Sequence, residues 1–172
     1  GGLLIPYGHA DYVRIRLDDP GEKGLRFLAP QRPVEPYLVP LVSDEEWNDQ
    51  ELPLVIVEGP IKAVALAEHG FGPCIALGGV SAGAHDVGLK KKYGCTLLHP
   101  TLRQHVAIAD RNITILFDAG RAHNVAVARA EAQLALMLEK AGAHVRVAAL
   151  PYSQNENPDQ GPDDFLANHG GA

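Results

Sequence analysis

Cysteine is nearly absent from this chain, which has only Cys74 and Cys95 among its 172 residues. Two cysteines make neither a disulfide scaffold nor a four-ligand zinc site. We therefore expect two reduced thiols in a cytoplasmic protein.

Long hydrophobic runs are also missing. No apolar run approaches the roughly 18 residues that a transmembrane helix needs, and the N-terminus has no signal-peptide pattern. These absences argue against a membrane partner. The chain begins with Gly1-Gly2 rather than methionine and ends with Gly170-Gly171-Ala172, so we expect a fragment of a longer protein.

Positive charge is in deficit. The chain has 15 Lys and Arg against 21 Asp and Glu, a net charge of −6. Such a chain binds nucleic acid poorly through bulk charge alone. Binding would need a local basic surface, a bridging metal ion or a partner domain.

Several sequence signatures of chemistry are absent. There is no G-x-G-x-x-G after a strand, no G-x-x-x-x-G-K-[ST], and no G-x-S-x-G. A dinucleotide fingerprint, a P-loop and a serine-hydrolase elbow are therefore unsupported. The histidines show no paired metal-ligand spacing.

What is present is a globular composition, with 46% hydrophobic and 21% charged residues, which suits one domain with a small annex. Residues 1–42 are expected to form a β-rich annex with strands near 3–7, 12–17 and 26–28. Prolines from 30 to 40 then favour an extended path. Residues 43–52 are an acidic connector, with a helical turn capped by Ser43.

Residues 53–169 alternate between apolar strands and amphipathic helices. The strands are expected at 54–57, 74–77, 113–117 and 145–150, with helices beginning at Pro60, near residue 99 (to 109) and after Asn124. This order predicts an α/β fold with a parallel sheet of about four strands and flanking helices. We expect Asp110 in a turn and Glu131 on a helix surface.

Acidic and glycine residues follow the predicted strands. Glu58 and Asp118 come after the first and third strands, and Gly78-Gly79 comes after the second. The carboxyl ends of parallel strands are where ligands bind in open sheets. The two acids are either Mg²⁺ or Mn²⁺ ligands or first-turn helix acids, and the glycines form either a phosphate cradle or a plain turn.

Four motifs in order resemble a Toprim domain. They are V-E-G-P-I-K-A at 57–63, L-G-G-V at 77–80, I-L-F-D-A-G at 115–120 and G-P-D-D-F-L at 161–166. The resemblance covers about 53–169 and is nearest to the Toprim-like domain of bacterial, phage and plasmid primases and primase-helicases, sometimes labelled DUF3854. The I-P-Y, R-x-R and R-F-L segments of the annex resemble the β-rich stretch that precedes Toprim in primases.

The resemblance implies a Rossmann-like Toprim fold and a divalent-metal site. Glu58 would be a general acid/base or metal ligand, and Asp118 a catalytic metal ligand. The family's second aspartate of D-x-D is replaced by Gly120, which removes one ligand. Asp163 or Asp164 would complete the site; otherwise the site is weak or the domain is catalytically degenerate.

Several basic residues are candidates for contact with phosphate groups. The resemblance places Lys62 where it either meets phosphate or is a solvated helix lysine. Arg14, Arg16 and Arg26 either hold template or nucleotide phosphates or are exposed strand arginines. The run 90–92, three lysines, is either a solvated face or a guide for the nucleic-acid backbone.

The function implied is a catalytic-core fragment of a DNA primase or primase-helicase that makes RNA primers with Mg²⁺ or Mn²⁺. Its partners would be a single-stranded DNA template, nucleoside triphosphates, and other domains of the parent protein or a helicase. The alternative is a Toprim-fold module that has lost catalysis and binds nucleic acid or a partner. A third hypothesis is a Toprim nuclease, but the primase-like annex argues against it.

Overall fold

The computed structural model describes residues 1–8, 11–21, 24, 26–30, 34–79, 83–85, 97–119, 124–151 and 160–169. Gly120, the lysine run 90–92 and Cys95 lie outside the described residues. Among the described residues, no helix combines the length and the hydrophobicity that are needed to span a membrane.

Ten strands and five helices occur in the described part of the chain. The strands are β1 (Gly2–Tyr7), β2 (Tyr12–Leu17), β3 (Phe27–Leu28), β4 (Tyr37–Leu38), β5 (Leu54–Val57), β6 (Cys74–Ala76), β7 (Ala84–His85), β8 (Leu97–Leu98), β9 (Asn112–Leu116) and β10 (His144–Ala148). The helices are α1 (Asp44–Asn48), α2 (Pro60–Glu68), α3 (Pro100–His105), α4 (Val125–Lys140) and α5 (Pro162–His169).

The main sheet has five strands in the order β10-β9-β5-β6-β4. The first four are parallel, which confirms the predicted α/β fold class. The fifth strand, β4, pairs antiparallel with β6 and comes from the proline-rich stretch, where only an extended path was expected. An edge position suits a two-residue strand between prolines, because proline cannot donate to an interior ladder.

Strand β5 is buried at all four positions, as its continuous apolar run predicts. Leu54 and Ile56 belong to the core on one face of the sheet, with Leu134 and Leu138 of α4. Val55 and Val57 belong to the core on the other face. The alternation of side chains along the strand therefore feeds both cores.

The annex forms a three-stranded antiparallel sheet in the order β1-β2-β3, as expected. Tyr7 lies edge-on to Tyr12 and Tyr37, with ring centroids 4.9 and 5.0 Å apart. All three rings are buried in the same core as Val55 and Val57. The annex sheet and the main sheet therefore share one apolar core, which fixes the annex against the strand ends.

The predicted helix starts are confirmed. Ser43 closes a capping box with Glu46 at the start of α1, Pro60 is the first residue of α2, and Asn124 caps α4. Helix α3 was expected over 99–109, but it is shorter and ends at His105.

The burial of Arg111 was not predicted from the sequence. It directly precedes β9, is 0% exposed, and donates to the carbonyls of Glu46, Trp47 and Leu52 at 2.7–3.0 Å. The neighbouring Asp110 has φ 61°, which fits the expected turn. Arg111 thus ties the acidic connector to the start of a central strand.

Candidate functional site

The two strand-end acids lie at the same edge of the sheet. Strands β5 and β9 are parallel neighbours with Ile56 opposite Ile115, so the residues that follow them come out side by side. Glu58 follows β5 directly, and Asp118 follows β9 after Phe117. The parallel register therefore brings together two carboxylates that are far apart in sequence.

Lys62 is paired with Asp118. The lysine lies in the first turn of α2, and its ammonium contacts both carboxylate oxygens of the aspartate. The side chains are 20% and 24% exposed. Lys62 is therefore an internal cation of the site rather than a solvated helix lysine.

Glu58 has a raised pKa. Burial is the largest cause, because it disfavours the charged form, and the negative charge of Asp118 adds to it. The Lys62 ammonium and a hydrogen bond from the Asp118 backbone act in the opposite direction without cancelling the rise, and Glu131 contributes a smaller increase. The Glu58 carboxylate is thus easier to protonate than that of an ordinary glutamate.

Glu131 was expected on a helix surface, and that prediction is wrong. It is only 7% exposed and acts electrostatically on Glu58 from α4. The sequence contained the signal, because Val127, Glu131, Leu134 and Leu138 recur at the spacing of one helix face. A carboxylate on that apolar stripe faces the interior.

Asp163 and Asp164 open helix α5 beside the same site. The Asp164 carboxylate accepts a hydrogen bond from the Gly161 amide at 3.2 Å. One Asp163 oxygen, Oδ1, is buried without a hydrogen-bond partner among the described residues. A Cβ on Gly161 would lie 2.7 Å from Cε of Lys62 and 2.5 Å from Oδ1 of Asp163, so only glycine lets these groups approach so closely.

Arg14 faces the acids from strand β2. Its guanidinium lies 4.5 Å from the Phe27 ring centroid and donates to the Gly78 carbonyl at 3.0 Å. Gly78 has φ 69°, and a Cβ there would meet Nη1 of Arg14 at 2.7 Å. Gly78 and neighbouring Gly79 therefore form a tight turn under the guanidinium.

One pocket collects every site residue that the sequence singled out within the described part of the chain. It has a volume of about 640 Å³. Its predicted members are Arg14, Arg16, Arg26, Glu58, Lys62, Gly78, Gly79, Asp118, Asp163 and Asp164.

The pocket has the donor chemistry of a hard divalent ion. Its acids offer carboxylate oxygens, which Mg²⁺ and Mn²⁺ prefer, and the lone Asp163 oxygen has no other partner among the described residues. No three acidic, histidine or cysteine side chains of the described residues already form a metal-binding group. The oxygen donors of the pocket therefore fit such an ion. The carboxylate of Asp118, however, is in contact with the Lys62 ammonium.

A family model described as a domain of unknown function, DUF3854, matches residues 45–172. The comparison with curated proteins found no match.

Three solved structures have a similar fold. A DnaG primase catalytic domain bound to single-stranded DNA matches at 20% identity and TM-score 0.60, over 98% of this chain and 47% of the other. The zinc-binding and RNA polymerase domains of the Aquifex aeolicus primase match at 17% and 0.58, over 97% and 37%. The E. coli primase catalytic core matches at 19% and 0.60, over 97% and 48%. The chain thus spans less than half the length of these structures, and at these identities the likeness shows the fold.

Proposed function

Because the chain belongs to the DUF3854 family and has the fold of a primase catalytic core, we propose that it is the Toprim part of a primase. In this proposal it binds nucleoside triphosphates and a single-stranded DNA template and contributes to RNA primer synthesis. The observation that carries the proposal is the pocket itself, where four acids face three arginines across one cavity at the strand ends.

The arginines give this acidic chain a local basic surface. Arg14, Arg16 and Arg26 all line the pocket, and guanidinium groups bind phosphate oxygens through paired hydrogen bonds. Stacking on Phe27 and bonding to Gly78 hold Arg14 in place. These guanidinium groups would give phosphate local contacts in a chain whose net charge is −6.

The acids are the metal side of the proposed site. Asp118, Asp163 and Asp164 would hold Mg²⁺ or Mn²⁺, which when bound neutralises phosphate charge and favours an ionised hydroxyl. Glu58 would either join them as a ligand or act as the general acid/base, since a carboxylate bound to the ion no longer accepts a proton readily. In the second role Glu58 takes up a proton more readily than an ordinary glutamate, because burial and Asp118 raise its pKa, and it is therefore suited to accept the proton of the attacking hydroxyl.

A second candidate is a binding module without catalysis. The Lys62–Asp118 ion pair favours it, since the ammonium contacts both oxygens of the acid that would bind the metal. Gly120 in place of a second aspartate points the same way. Such a module would position nucleic acid or dock other domains of its parent protein or a helicase.

Primer synthesis on a single-stranded template separates these candidates. The assay uses the protein that contains this domain, with nucleoside triphosphates and Mg²⁺ or Mn²⁺. Glu58→Gln is expected to lower the rate by about 10²-fold or more, the usual contribution of an acid–base group. Glu139→Gln, at an exposed position of α4, is the matched control.

Wild-type priming by Glu58→Gln would contradict the catalytic role. Binding of labelled single-stranded DNA, measured by fluorescence anisotropy, gives the second readout. DNA binding that depends on Arg14, with no primer synthesis by the wild-type protein, would favour the binding module.

A further inference from the structure

Lys62 holds the carboxylate of Asp118, and the role inferred below for this contact rests on the proposed function. The Lys62 ammonium contacts both oxygens of the carboxylate, and each side chain is about four-fifths shielded from water. Charged pairs in such positions are screened less than exposed pairs. The Lys62 ammonium is therefore held on the carboxylate that the proposed function assigns to the divalent ion.

A divalent ion and this ammonium compete for the carboxylate of Asp118. Each carboxylate oxygen keeps a second lone pair, but Nζ of Lys62 contacts both oxygens and so occupies the position from which one ion would bind both of them. Two cations at ligand distance from one carboxylate also repel each other strongly. Binding of an ion through both oxygens therefore requires Lys62 to move, and binding through one oxygen is opposed by its charge.

The surroundings favour such an exchange. Glu58, Asp118, Asp163 and Asp164 line the same pocket, and Oδ1 of Asp163 is buried without a hydrogen-bond partner among the described residues. An ion of charge +2 would neutralise this cluster better than an ammonium of charge +1. The cavity of about 640 Å³ gives the flexible lysine stem room to turn away.

We propose that Lys62 is a built-in competitor for the divalent ion. Its ammonium occupies Asp118 until an ion displaces it, and it then becomes available to phosphate groups in the pocket. Metal affinity is thus set by Lys62 as well as by the acids, and the lysine couples metal binding to phosphate binding.

Mn²⁺ binding to the 172-residue chain tests this proposal, with free Mn²⁺ measured by electron paramagnetic resonance. Lys62→Met is expected to bind Mn²⁺ at least about 10-fold more tightly than the wild type, because the competing charge is gone. Lys140→Met, at the exposed end of α4, is the matched control and should stay within about twofold, as a distant surface charge is screened. Adding Asp118→Ala to Lys62→Met should abolish the gain.

An unchanged or weaker affinity of Lys62→Met, including no binding by either protein, would overturn the proposal. So would a gain that survives in the double variant, because the ion would then lie elsewhere.

A second measurement uses the wild-type chain and does not depend on folding of a variant. Acetic anhydride should acetylate Lys62 faster in saturating Mg²⁺, as quantified by mass spectrometry with Lys140 as the internal reference. An unchanged Lys62 rate would refute displacement.

The outcomes separate this proposal from the primase assignment. Competition in the Mn²⁺ experiment without primer synthesis would leave the competitor role standing and remove the catalytic function. Primer synthesis with no effect of Lys62→Met on metal affinity would support the catalytic function and remove the competitor role.

Discussion

Replacement of Arg111 by methionine should destabilise the domain strongly. The guanidinium is fully buried and donates to the carbonyls of Leu52 and Trp47 at 2.7 Å, Glu46 at 3.0 Å and Ala107 at 3.3 Å. Methionine keeps most of the apolar stem but offers no donor. The substitution therefore removes these hydrogen bonds, and the carbonyls of Trp47 and Glu46 keep only the backbone N–H groups of Ala107 and Asp49.

The magnitude follows from the three shorter bonds. A hydrogen bond to a charged group contributes about 1.5–3 kcal/mol, so three bonds give at least about 4.5 kcal/mol. Burial also lowers the pKa of Arg111, which shows that the charged guanidinium loses hydration, and its removal offsets part of the loss. We expect a net decrease of about 3 kcal/mol in the free energy of unfolding.

Thermal and urea unfolding followed by circular dichroism measure this decrease. At about 2–4 °C per kcal/mol for a chain of this size, Tm should fall by about 6–12 °C. Arg129→Met, at an exposed position of α4, should change stability by less than about 0.5 kcal/mol. A loss for Arg111→Met as small as that of the control would refute the argument that these hydrogen bonds hold the connector to β9.

Two further substitutions test the site. Because burial raises the pKa of Glu58 in the fold, its charge costs stability as pH rises through and above its usual range, and this cost is absent at lower pH. Glu58→Gln should thus raise Tm at pH 7 but not at pH 4, and equal gains at both would contradict this. Gly78→Ala should weaken DNA binding in anisotropy titrations, because its Cβ would displace Arg14. Gly70→Ala has similar backbone strain at φ 78° but open space around it, so equal weakening in both variants would refute the displacement.

Local pattern was enough to predict most of the framework. Strand β2 occupies the expected residues 12–17, and β5 the expected residues 54–57. Such agreement is possible because side-chain alternation and continuous apolar runs are properties of neighbouring residues. The strand β4 was missed because its pairing depends on β6, nearly forty residues away.

The site was predictable as a place but not as a set of contacts. Topology puts the ends of β5 and β9 together, so Glu58 and Asp118 had to be neighbours. The capture of Asp118 by Lys62 and the inward position of Glu131 were not foreseen. The roles of these residues in metal binding and catalysis stay predictions.

The sequence by itself determined the four parallel strands β5, β6, β9 and β10, the caps at Ser43 and Asn124, and the edge where the acids gather. These features follow from the periodicity of apolar residues and from local hydrogen bonding. Only the tertiary structure decided which charges meet, because Lys62 and Asp118 are 56 residues apart. The strength of such a pair, and the pKa of Glu58 beside it, depend on the burial that packing creates.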